Sequence, residues 1–357
     1  MKLPRITILA TLLLSTPAAA QLQIAPPATT PSAPAEKQKA KPPAPAKKKE
    51  AAPAPKASPS PKPSPSPKPA TVIPAPPADN PNVDLVYGAY QRGQYKTAFE
   101  LASARAQAGD AKAMTMLGEL YSNAMGIRRD YGKAAEWYKR AADAGDREAM
   151  FALAMLRISG RGGSVDKSEA VKLMASAAKL GEPKAAYNLA LLYLDGQTLP
   201  QDVKRSAELL RQAADAGLPE AQYALATFYK EGTGVPKDPE RSVRLLQAAS
   251  LADNVDAEVE YAIALFNGTG TPKNHPAAVA LLRKASRQGS AIAQNRLAWV
   301  LINGMGTAVD KVEGFKWHLV AKTAGKGDPE LDKQLSDLPA EDRAKAEAAA
   351  KKWLGTK

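Results

Sequence analysis

Between Asp110 and Gly325 the apolar residues recur in one register of 36 positions, six times without a gap: Asp110 to Gly145, Asp146 to Gly181, Glu182 to Gly217, Leu218 to Asp253, Asn254 to Gly289 and Ser290 to Gly325. Position 4 is alanine in every unit (Ala113, Ala149, Ala185, Ala221, Ala257, Ala293), and so is position 32 (Ala141, Ala177, Ala213, Ala249, Ala285, Ala321). In the first half of a unit the apolar positions are 4, 8, 11 and 12, as in Ala221, Leu225, Phe228 and Tyr229, a spacing that lines one face of a helix, helix A. In the second half they are 25, 28, 29 and 32, as in Ala134, Trp137, Tyr138 and Ala141, which predicts helix B. Position 9 is always small (Gly118, Ala154, Ala190, Ala226, Ala262, Ala298), which lets a second helix approach closely.

The helix boundaries have their own signals. Pro183 and Pro219 suit the first turn of helix A, where a missing N–H costs nothing, and Asp130, Asp202 and Asp238 suit the N-cap of helix B. Most units close on a glycine able to take the left-handed C-cap conformation. A period of this length predicts a solenoid in which each helical hairpin buries its apolar face only against its neighbours.

The pattern is fullest in Ala113 to Gly145, with A-x-x-x-L-G/A-x-x-Y and Y-x-x-A-A-x-x-G around a G-x-G-V-x-x-D type of loop, and it resembles the Sel-1-like repeat, a relative of the tetratricopeptide repeat with a longer inter-helix loop. Departures fall in the loops: Gly160 to Gly163 read GRGG, Thr198 replaces the second loop glycine of the third unit, and Thr271 and Thr307 replace the loop valine. The fold expected is therefore all-α, an α/α superhelical, tetratricopeptide-like solenoid of six repeats over 110–325. A capping hairpin over 83–109, turning at Gly93, and capping helices over 326–357, broken at Pro339, complete it. The resemblance implies an adaptor that binds other proteins, and some such proteins are exported by bacteria.

The first quarter of the chain reads differently. Residues 1–20 carry Lys2 and Arg5, an apolar run from Ile6 to Leu14 and then Ala18, Ala19 and Ala20, the layout of a cleaved signal peptide. The run of nine is short of the ~20 residues a membrane-spanning helix needs, so no transmembrane segment is expected after cleavage. Residues 21–82 are rich in Pro, Ala, Lys and Ser, too poor in apolar side chains to offset ordering entropy, and predict a disordered linker. Two roles suit it: a spacer, or a basic segment drawn weakly to anionic envelope polymers. Together these features place the protein in the periplasm of a Gram-negative bacterium.

Net charge is +13, of which the linker contributes +6, from nine Lys against three acids. The linker has no aromatic residues to stack on bases, so the high charge does not predict a nucleic-acid binder. No cysteine is present, which removes disulfides, thiol chemistry and Cys-based metal sites. Two histidines, His275 and His318, exclude a multi-histidine metal centre. His275 sits at a helix start beside Pro276, a solvated or capping place, and His318 occupies position 29, a core position in the other units. No G-x-S-x-G occurs. The stretch EGTGVPKDPE, Glu231 to Glu240, has counterparts 36 residues on and lacks the preceding strand and G-K-[ST] ending of a phosphate loop, so it reads as the turn between helices A and B. Neither a catalytic set nor a cofactor or metal site is expected; the rival reading is an envelope hydrolase or a peptidoglycan- or glycan-binding protein, whose carboxylates could come from distant segments.

One feature exceeds what a scaffold needs. At positions 6, 10 and 13 helix A points away from its own hairpin, yet those positions hold Phe151, Met155, Tyr187, Leu191, Tyr223, Ile263, Phe266 and Trp299. A helix that is apolar on both sides is buried on both sides or binds something. By the resemblance this is the concave face, and two readings stand: packing against the next repeat, or a peptide groove with aromatic anchors and polar rim groups such as Lys230 and Asn295.

Overall fold

The computed structural model describes residues 84–355. The signal-peptide and linker expectations, and residue 83, lie outside the described residues. Within them are sixteen helices and no strand. Helices α1 (Leu85–Gln91) and α2 (Tyr95–Gln107) form a hairpin about Gly93, whose φ is +71°. Six A/B pairs follow: α3 (Ala111–Asn123) and α4 (Tyr131–Asp143); α5 (Arg147–Ser159) and α6 (Lys167–Lys179); α7 (Pro183–Asp195) and α8 (Val203–Asp215). The last three are α9 (Pro219–Glu231) and α10 (Pro239–Leu251), α11 (Val255–Asn267) and α12 (His275–Arg287), and α13 (Ala291–Asn303) and α14 (Lys311–Thr323). Helices α15 (Pro329–Ser336) and α16 (Ala340–Gly355) come last, with α16 lying on α14.

Local chemistry explains where each helix B starts and where each helix A ends. Each helix B is capped by the side chain before it: Asp130, Asp166, Asp202, Asp238, Asn274 and Asp310 accept from a backbone N–H in the first turn. The backbone N–H of those six residues in turn donates to a carbonyl near the end of helix A (Tyr121, Arg157, Tyr193, Tyr229, Leu265, Leu301), so all six loops close in the same way. Helix A ends on a left-handed residue, Gly160, Gly196, Gly232, Gly268 or Gly304, and in the first repeat on Ala124 at φ 58°.

The alanines at positions 4 and 32 are all at most 2% exposed, small side chains enclosed where the helices pack on one another. Position 9 shows the limit: a Cβ on Gly118 would lie 2.6 Å from the Tyr138 ring of its own hairpin. Position 29 is buried throughout, as Tyr138, Met174, Leu210, Leu246, Leu282 and His318. The apolar clusters overlap from repeat to repeat; one runs from Ala177 through Leu210 to Tyr229, another from Val259 through Phe315 to Ala350.

The second loop glycine locks neighbouring repeats together. Gly234 has φ 67°, and a Cβ on it would stand 2.6 Å from the Val203 carbonyl oxygen at the start of the preceding helix B. Gly126, Gly162, Gly270 and Gly306 make the same approach to Tyr95, Tyr131, Pro239 and His275. The GRGG loop keeps this register, since Gly162 does what Gly234 does.

Candidate protein-binding face

The side chains at helix-A positions 6, 10 and 13 form a row across repeats 2 to 6, but they are not equally available. Tyr187 and Leu191 are buried, at 7% and 8% exposure, in the cluster that joins repeats 2, 3 and 4. Phe151 and Met155 are half-buried around Ala154, Ala170 and Met174, and Phe151 also packs on the next cluster along. Tyr223 is half-buried against Ala226, Leu246 and Ala257. Ile263 and Phe266 flank the C-terminal cluster, and Phe266 stacks on His275 at 4.4 Å between ring centroids.

The polar members of the row already have partners. Lys230 Nζ lies 2.7 Å from Glu260 Oε2. Asn295 Nδ2 donates to the Lys326 carbonyl oxygen at 3.2 Å, and Trp299 Nε1 donates to Asp328 Oδ2 at 2.9 Å. Trp299 and Asn295 therefore hold the segment leading into α15. The part of the row that keeps a half-open aromatic edge lies in repeats 2 to 5, at Phe151, Tyr223 and Phe266.

Carboxylates that sequence reading did not single out border this stretch. Burial pushes the Tyr187 hydroxyl up to about 12, with the Glu220 carboxylate adding to it. Burial also raises Tyr223, followed by Asp256 and Glu260. The Asp256 carboxyl is raised too, by desolvation first and by Glu260 second. One Glu220 oxygen, Oε2, is enclosed without a hydrogen-bond partner. The face thus combines apolar rings with carboxylates at position 3 of one repeat set beside the position-6 tyrosine of the repeat before it. The available signal was that 33-residue offset, which means nothing until the repeats are stacked.

The two histidines are structural. Asn274, not His275, caps α12; His275 is the first helical residue and lies on the Phe266 ring, with Nε2 3.1 Å from that residue's carbonyl oxygen. His318 is fully buried, and its Nε2 is 2.8 Å from Asp332 Oδ1, which also pairs with Lys322. Among the described residues no group of three or more His, Asp or Glu side chains is arranged to hold a metal ion, and no helix is long and apolar enough to cross a membrane. The loop of Glu231 to Glu240 spends its backbone on its own closure and on the approach to Val203.

Solved structures share this architecture, among them these two. The crystal structure of c5321, a protective antigen of uropathogenic Escherichia coli strains with an SLR fold, is 27% identical with a TM-score of 0.65; the match covers 75% of this chain and 59% of that one. A Sel1 repeat protein from Oxalobacter formigenes is 26% identical with a TM-score of 0.60, covering 67% of this chain and 98% of its own. This chain therefore spans 59% of the length of the first and nearly all of the second. No curated protein sequence matches it. The family model for the Sel1 repeat matches six consecutive segments, residues 111–146, 147–182, 183–218, 219–254, 255–290 and 291–326. With more than half of its length in these segments, the chain belongs to the Sel1 repeat family.

Proposed function

We propose that this protein is a non-enzymatic protein-interaction scaffold of the bacterial periplasm or cell envelope, seating a protein or peptide on the helix-A face of its solenoid. The family is generally one of non-catalytic repeat scaffolds that mediate protein interactions, which supports the general reading. The observation that carries the specific one is the half-open aromatic row of Phe151, Tyr223 and Phe266, bordered by Glu220, Asp256 and Glu260. Rings of this kind supply large contact area at little entropic cost and act as anchors for a bound segment, while the carboxylates favour a partner that brings cations. The export reading rests on residues 1–20 and the spacer reading on residues 21–82.

The test is photo-crosslinking in the periplasm, with benzoylphenylalanine placed at Lys230 or at Thr227 on the helix-A face, in chains with and without residues 21–82. A discrete adduct at these positions that Tyr223→Ser abolishes, with helicity and cooperative unfolding retained, supports the groove. Loss of cooperativity in Tyr223→Ser assigns that side chain to repeat packing, and an adduct indifferent to Tyr223→Ser refutes the groove. Cell-wall fragments released by the purified protein would favour the hydrolase reading.

A further inference from the structure

The two helix types differ sharply in charge. The six B helices carry seventeen Lys and Arg against seven Asp and Glu, a net of +10, whereas the six A helices carry six against eight, a net of −2. Fourteen of the seventeen B-helix cations are exposed, so the charge belongs to a surface. Much of the total positive charge lies before residue 83, but the folded repeats hold a second store of it on their B helices, offset in the total by the acidic A helices and the inter-helix loops.

On this basic surface repeats 3 to 5 open two adjoining clefts, of about 420 and 490 Å³, which share Arg244. In the smaller cleft Arg211 Nη2 and Arg241 Nη1 each lie 3.4 Å from the Tyr229 hydroxyl oxygen, so one phenol sets two guanidinium groups side by side. Arg241 also pairs with Asp238 at 3.1 Å. Arg211 and Arg244 make no ion pair among the described residues, although Asp215 and Glu240 stand at the cleft margins. Apolar side chains form part of each lining beside the polar ones, the half-buried Leu245 in the smaller cleft and the half-buried Tyr261 in the larger.

We infer that the helix-B face, centred on Arg211, Arg241 and Arg244, docks an acidic polypeptide segment in which carboxylates flank a small apolar side chain. Charge complementarity selects an anion, and a planar guanidinium fork matches a carboxylate in two parallel hydrogen bonds. The apolar side chains beside the arginines, Leu245 and Tyr261, select a polypeptide over other polyanions. A bilayer surface does not enter a cleft between helices, and a polyphosphate has no group for Leu245 or Tyr261. Tyr229 is 6% exposed and offers no ring face, and the half-buried Tyr261 alone is not the series of rings on which successive nucleic-acid bases stack. This surface is separate from the helix-A face and does not rest on the groove there.

Fluorescence anisotropy of the full chain with a labelled peptide of Glu-Glu-Leu triplets tests it, beside a Gln-Gln-Leu control peptide, vesicles containing phosphatidylglycerol, and inorganic polyphosphate. The expected result is that the acidic peptide binds, the Gln peptide does not, and R211Q/R241Q/R244Q weakens binding at least about tenfold. The charge-matched K139Q/K172Q/K311Q, spread over other B helices, should weaken it less than about threefold. Circular dichroism and the thermal midpoint check that both triple variants stay folded, as exposed side chains allow. Equal losses in the two variants would mean a diffuse field and overturn the cleft. An unchanged affinity in both would place the peptide elsewhere, the lysines of residues 21–82 included, and overturn it as well. So would vesicles or polyphosphate binding where the acidic peptide does not.

Discussion

Gly234 and Gly217 offer a matched pair for testing how one repeat is locked to the next. Both have positive φ, 67° and 85°. A Cβ added to Gly217 meets nothing within 4 Å, whereas on Gly234 it falls 2.6 Å from the Val203 carbonyl oxygen and 3.0 Å from Val203 Cγ1. An L-residue in the left-handed region costs ~1–2 kcal/mol, partly offset by ~0.4–1 kcal/mol because alanine restricts the unfolded chain. Gly217→Ala should thus cost about 1 kcal/mol. Gly234→Ala carries the same cost and must also push its loop off repeat 3, a backbone displacement comparable to overpacking at ~1–3 kcal/mol, for a total of about 2–4 kcal/mol. Because solenoid stability is a sum of repeat and nearest-neighbour interface terms, the loss should fall on the interface and broaden the transition. Urea unfolding followed by helical circular dichroism reads both effects. If the two variants agree within about 0.5 kcal/mol and keep the same slope, the loop glycine is only a turn residue and the lock does not exist.

Three further outcomes follow from the same structure. Ala124 ends the first helix A at φ 58°, where the other repeats have glycine, so Ala124→Gly should stabilise by about 0.5–1 kcal/mol in the same urea assay. Glu258 is fully buried with Oε1 2.7 Å from Lys284, and Gln222 and Gln294 at its register donate to the Ala214 and Ser286 carbonyl oxygens. Lys284→Ala should destabilise by about 2 kcal/mol, below the ~3–5 kcal/mol of a fully buried pair because Lys284 is 40% exposed, and adding Glu258→Gln should restore most of it in a double-mutant cycle. The Asp332 carboxyl is held below the usual carboxylate range by Lys322 first and His318 second. Its contribution is therefore full above the unfolded-state value of 3.8 and lost as pH falls through the lower folded value; acid unfolding followed by tryptophan fluorescence should show that Asp332→Asn removes this part of the pH dependence.

The sequence by itself determined what depends on short-range chemistry and on repetition. Helix spans, N-caps and left-handed ends are set within a few residues of one another, so Asp130, Asp202, Asp238, Pro183 and Pro219 could be placed before any coordinates, and the 36-residue register then implied a stack. Position 9 was legible as a close approach because only small residues occur there. Tertiary structure alone decided how much of the apolar row at positions 6, 10 and 13 is used in packing, since a side chain leaving its own hairpin meets either the next repeat or solvent according to how the hairpins stack. That stacking buries Tyr187 and Leu191, leaves Tyr223 half-open and ties Trp299 to Asp328, 29 residues away. It also assembles Arg211, Arg241 and Arg244 around one tyrosine, from helices whose charges look unremarkable one at a time. Periodicity reports which side of a helix is apolar; which atoms lie opposite that side is a property of the packed array.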